Sequence, residues 1–105
     1  MANDEFKKIL SEAIDETFSS LGESPKQSII FHLEQTFDLK VIEYSNDPVA
    51  FDRALKNIFG PGAFLLETSI LNKLNEKVMQ VQNECFKDNF FANIQRLNDL
   101  WQKNP

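Results

Sequence analysis

The sequence predicts an all-α protein: a compact bundle of four to five helices with a long or kinked C-terminal helical segment. Three observations carry this. Apolar residues recur at helical spacing along almost the whole chain. Start and stop signals divide that pattern into helix-sized pieces. No pair of segments alternates in the way that two partnered strands would. With 105 residues, one domain spanning 1–105 is expected, with a modest core. Ten phenylalanines give that core much aromatic area to cover.

In the first segment Phe6, Ile9, Leu10, Ala13, Ile14, Thr17, Phe18 and Leu21 form one stripe. Asn3 or Asp4 can cap its start and Gly22 can end it. Glu12, Asp15 and Glu16 lie off the stripe and read as a solvated face. The second helix is expected to start at "SPKQ". Ser24 would be the N-cap, Pro25 the first helical residue, and Gln27 the far end of a capping box. Ile29, Ile30, Leu33 and Phe37 share one side of it, and Phe31 points away as a second contact surface. "DLKVIEYSN" breaks the period and reads as a connection anchored by Leu39, Val41 or Ile42.

The third helix starts at "NDP", with Asp47 as cap and Pro48 opening the turn. Phe51, Ala54, Leu55, Ile58 and Phe59 are its stripe. Gly60-Pro61-Gly62 then reads as a corner between helices. Gly60 sits where a left-handed residue ends a helix, and Pro61 cannot continue it. Gly62 is expected to let the chain turn sharply, and the glycines to let the helices approach. A phosphate-binding loop would need Lys and Ser or Thr after its second glycine; Ala63, Phe64 and Leu65 stand there instead.

In the fourth helix Ala63, Ile70, Leu71, Leu74, Val78, Val81 and Cys85 share a face, counting 100° per residue. Glu67 falls in the middle of it. A carboxyl group there must find partners or raise its pKa. Arg53, His32 or free N–H groups of a neighbouring helix are the candidate partners. Two roles stay open for it: tying down a loop or helix end, or sensing a ligand or proton. Beyond Cys85 the stripe jumps by roughly 140°, to Phe86, Phe90, Ile94, Leu97 and Trp101. Either the helix breaks within "NECFKDN" or one long helix buries opposite faces. Weak helix formers at Asn83, Asp88 and Asn89 favour the break.

The stretch "DPVAFDRALKNIFGPGAFLLETSIL" resembles a pattern of a small archaeal family, the Nitrosopumilus-type output domain. The matching residues are Asp47, Pro48, Phe51, Ala54, Leu55, Ile58, Phe59, Gly60, Gly62, Ala63, Leu66, Glu67 and Ile70. "SIIFHLEQTFDL" is similar to the family's preceding helix. The resemblance spans roughly residues 13–78 and leaves 79–105 as an extension. It implies a helical module acting in archaeal signal transduction, and it brings no established catalytic residues.

Function classes are narrowed by what the chain carries. Net charge is −5, which disfavours nucleic acid, since phosphate contact needs clustered Lys and Arg. Residues 1–52 hold eleven acids and four bases, while 53–105 hold five acids and seven bases, so the two halves can attract, within a chain or between chains. No run reaches the ~20 apolar residues of a membrane span. "MANDEFKK" lacks a signal peptide's basic start, and one cysteine, Cys85, fits a reducing cytoplasm. His32 and Cys85 stand alone, without a nucleophile–base spacing or a zinc ligand set. The expectation is a non-enzyme without cofactor or metal. The leading reading is a signalling or interaction module that pairs with itself, or with another signalling protein. Phe86, Phe90, Phe91, Ile94, Leu97 and Trp101 are its expected homodimer contact, the alternative being that this segment folds back and completes its own domain as a fifth helix. The alternative is a sensor of a small apolar ligand. A helix-turn-helix regulator is weaker, because neither helix beside the corner has a basic face.

Overall fold

The computed structural model describes residues 2–79 and 90–103. Among them it is all helical: α1 (Ala2–Ser19), α2 (Glu23–Phe37), the single turn α3 (Glu43–Asn46), α4 (Pro48–Phe59), a 3₁₀ turn (Gly60–Gly62), α5 (Ala63–Met79) and α6 (Phe90–Lys103). The five longer helices are the expected bundle.

Helix α1 lies at the centre, against α2, α3, α5 and α6. Its predicted stripe is why: Phe6, Leu10, Ala13, Ile14, Thr17 and Phe18 are all buried. The Thr17 hydroxyl donates to the Ala13 carbonyl at 2.9 Å, so the stripe holds no unpaired hydroxyl at that point. Helix α1 ends at Ser19, and Gly22 at φ 107° turns the chain. Leu21 falls past the helix end and is exposed. Glu12, Asp15 and Glu16 face solvent, with Asp15 on Lys26 and Glu16 on Lys77, each at 2.8 Å.

Helix α2 starts two residues earlier than expected. Gly22 is the N-cap position and no side chain caps it. Ser24 and Pro25 lie in the first turn instead. The Lys26 N–H reaches the Gly22 carbonyl, and Gln27 Nε2 donates to Glu23 Oε1 at 2.9 Å rather than closing a capping box. The helix ends on Asp38 in the left-handed conformation, φ 52°, which a short polar side chain tolerates. The connection that follows has Leu39 as its buried anchor; Val41 and Ile42 are exposed, and Tyr44 on α3 is the second anchor. Tyr44 packs on Phe51 with ring centroids 4.8 Å apart and meets Phe18 edge-on. Periodicity could not find it, because one helical turn has no period.

Helix α4 begins as its sequence dictates. Asp47 accepts from the Ala50 N–H at 3.2 Å, with Pro48 in the first turn. Phe51, Ala54 and Leu55 are buried, as are Ala63, Ile70, Leu71 and Leu74 of α5. Val81 and Cys85 lie outside the described residues, and so do the expected break at 83–89 and Phe86.

Helix α6 packs against α5, α1 and α4. Phe90, Ile94 and Leu97 are buried in the chain's own core, with Phe90 6.1 Å from Phe51. Three of the expected dimer contacts are therefore covered in cis. The stripe meets α5, α1 and α4 of its own chain, and burial of such groups is satisfied by any apolar surface. Trp101 is half-buried against the same core, and Phe91 stays at the surface. No described helix is long and apolar enough to cross a membrane.

Candidate functional site

The α4–α5 joint gathers the features that packing alone does not explain. Gly60 takes φ 57° and ψ −131°, a backbone state that residues with a Cβ rarely adopt. Its φ is positive as expected, but its ψ departs from that of a left-handed helical residue. A Cβ at Gly60 would meet nothing within 4 Å, so backbone conformation and not space demands the glycine. Gly62 differs from expectation. Its φ is ordinary, and a Cβ there would touch Phe59 at 3.8 Å, a normal contact. The turn is made by Gly60 and Pro61 alone, and neither glycine serves a close helix approach. The Gly60 N–H still bonds the Lys56 carbonyl, while the Ala63 N–H reaches back to Gly60 and Pro61. All three joint residues are exposed.

Beneath the joint lies Glu67, 6% exposed. Its partner is neither Arg53, His32 nor a helix end. It is a second acid, Asp52, whose carboxyl hydrogen-bonds to that of Glu67. Asp52 stands eight residues before Gly60 and Glu67 seven after it. In one straight helix their Cα atoms would be roughly 22 Å apart, beyond the reach of two carboxyl side chains. The break at Gly60 is what brings them together. Lys56, one turn after Asp52, donates to Asp52 Oδ2 at 3.1 Å. Glu67 Oε2 and Asp52 Oδ1 are buried and meet no hydrogen-bond donor of any other described residue.

Two carboxylates this close cannot both ionise cheaply. Burial first, then the hydrogen bond and charge of Asp52, push the Glu67 pKa up to about 8, while Lys56 opposes the rise. Glu67 therefore carries a proton at neutral pH and donates it to Asp52. The pair can hold a proton and brace two helix arms. His32 is exposed on α2 and Cys85 lies outside the described residues, so neither is placed beside the pair. Asp52 was missed by sequence reasoning; its one signal is the near-equal count of residues from Gly60 to each acid.

Above the joint, Phe64 and Leu65 are exposed by 63% and 73%. They follow Ala63 in the first turn of α5, off the face that buries Ala63, Glu67 and Ile70. Phe31 on α2 is 65% exposed, as its position off the stripe predicts.

No family model, curated protein or solved structure matches the chain.

Proposed function

We propose that the chain is a non-enzymatic helical interaction module that pairs with a second copy of itself through the face beside the α4–α5 joint. The signalling role is the one that the output-domain resemblance implies. The observation that carries this reading is the adjacent pair Phe64 and Leu65, the most exposed large apolar side chains of α5. Two such groups in water at one helix start are a contact surface seeking cover. A two-fold contact sets each patch against its own copy. The acidic first half and the basic excess of the second half give two copies a complementary way to lie across each other. Helix α6 is a poorer contact, because its stripe is already spent on the chain's own core.

Sedimentation velocity between about 5 and 500 μM tests the reading. A concentration-dependent dimer is expected, and a Phe64→Ser/Leu65→Ser chain should remain monomeric and folded. A parent chain that stays monomeric throughout that range overturns the proposal.

A further inference from the structure

A second feature shares no residue with the joint's exposed patch. A cleft of about 590 Å³ opens between α1, α2 and the α2–α3 connection, within the ~300–1,000 Å³ of small-molecule sites. Ile14, Phe18, Ile30, Val41 and Tyr44 supply its apolar walls. Tyr44 is 2% exposed, and its hydroxyl is buried without any hydrogen-bond partner. Phenylalanine would fill the same volume without that unmet group, so packing does not account for the hydroxyl. Stacking on Phe51 and the edge contact with Phe18 fix the ring from behind.

The charges around the cleft narrow its ligand. Glu12, Asp15 and Glu16 sit at the rim with Lys8. Lys26 and Lys77 engage Asp15 and Glu16. Glu34 acts on Tyr44 by its charge and, with burial, lifts the phenol to about 12. The lining itself holds three acids, Glu12, Asp15 and Glu16, against one base, Lys8. Neither Glu12 nor Glu34 has an ion-pair partner among the described residues. Among the lining groups a cation meets the Glu12 carboxylate, which forms no ion pair with the described residues, and the rings of Phe18 and Tyr44. A neutral phenol offers that cation an oxygen acceptor.

We propose that this cleft binds a small amphipathic organic cation, an amine on an aromatic or aliphatic body, whose head hydrogen-bonds to the Tyr44 hydroxyl. The body lies on Ile14, Ile30 and Val41. Because the hydroxyl is buried, binding requires a wall side chain to move aside; Val41, 48% exposed, is the most exposed apolar side chain of that wall. This site is independent of the self-association face, and it gives the alternative expected from the sequence, a sensor of a small apolar ligand, a place and a chemistry.

The test is a ¹H–¹⁵N NMR titration of the full chain with 2-phenylethylammonium, beside phenylacetate and 2-phenylethanol as anionic and neutral probes. Saturable shifts are expected at the amides of Ile30, Val41 and Tyr44. The Tyr44→Phe chain should bind the amine about tenfold more weakly, equivalent to ~1.4 kcal/mol, and phenylacetate should bind the parent at least as weakly. Glu34→Gln, at an exposed position that the fold does not need, should weaken the amine about threefold and leave 2-phenylethanol unchanged. Shifts confined to another face overturn the site. Equal amine binding by parent and Tyr44→Phe removes the hydroxyl from it. Equal binding of phenylacetate and the amine overturns the cationic class.

Discussion

Helix α6 and the start of α5 both present large apolar side chains, and the fold treats them in opposite ways. Phe90, Ile94 and Leu97 are sunk into the core, while Phe64 and Leu65 stand in water. From sequence the roles look reversed: α6 is an orphan stripe in search of a partner, and Gly60-Pro61-Gly62 is only a corner. The difference lies in what each helix can reach. Helix α6 lies on α5, α1 and α4, so its stripe finds cover within the chain. Phe64 and Leu65 lie off the face of α5 that buries Glu67 and Ile70, and no described helix covers them. An apolar stripe establishes that burial is favourable; which surface supplies it is a matter of topology.

The strongest way to break this contrast is Leu97→Ala. Leu97 is fully buried, and such a truncation costs about 2–5 kcal/mol through lost transfer energy and a residual cavity. Urea melts should show this loss at low protein concentration, where no dimer forms. A melt unchanged by the substitution would return α6 to the role of an intermolecular contact.

Next comes the carboxyl pair that braces the joint. Glu67 keeps its proton to about pH 8 in the fold, against an ordinary value of 4.5. The folded state thus binds that proton more tightly than the unfolded chain. Its contribution is fully present below about pH 4.5 and is lost as pH rises through about 8. Each tenfold gain in proton affinity is worth ~1.4 kcal/mol, so stability should fall on the order of 3 kcal/mol between pH 5 and pH 8.5. Glu67→Gln keeps a neutral donor toward Asp52 and should flatten that slope. Denaturation midpoints across this pH range decide it; an equally steep slope in the variant would place the titrating group elsewhere.

Gly60→Val should cost about 1–3 kcal/mol, because φ 57° with ψ −131° strains any residue with a Cβ, and β-branching adds to the strain. Since nothing lies within 4 Å of a Cβ there, Gly60→Ala should show most of the same loss. A thermal melt in which alanine is harmless and valine is not would point to crowding and contradict this geometry. Gly62→Ala is the internal control, expected to be near neutral.

The smallest effect on the monomer belongs to the exposed patch. Phe64→Ser/Leu65→Ser should change stability by no more than ~0.5 kcal/mol while weakening self-association at least tenfold. A loss of stability comparable to that of Leu97→Ala would mean that these side chains support their own fold, and the contrast between the two regions would vanish.

By itself the sequence determined the helices, most of their ends, and the inward faces. Asp47 caps α4 because a side-chain oxygen and a following proline act locally, within one turn. Phe6, Leu10, Ile14 and Phe18 were legible as core because spacing on a helix is fixed by its pitch. The burial of Glu67 was legible for the same reason. The departures were local too: Ser24 gave up the cap to Gly22, and Tyr44 was hidden because a single turn carries no period. Only the tertiary structure decided the partners. Asp52 meets Glu67 through the angle at Gly60, Tyr44 is left with an unpaired hydroxyl by the way α3 lies on α1 and α4, and α6 turns inward instead of toward another chain. Helical pitch and capping act over a few residues and can be counted along the chain. Which surfaces meet depends on joint angles and on competition among all apolar faces at once, and no local count contains that.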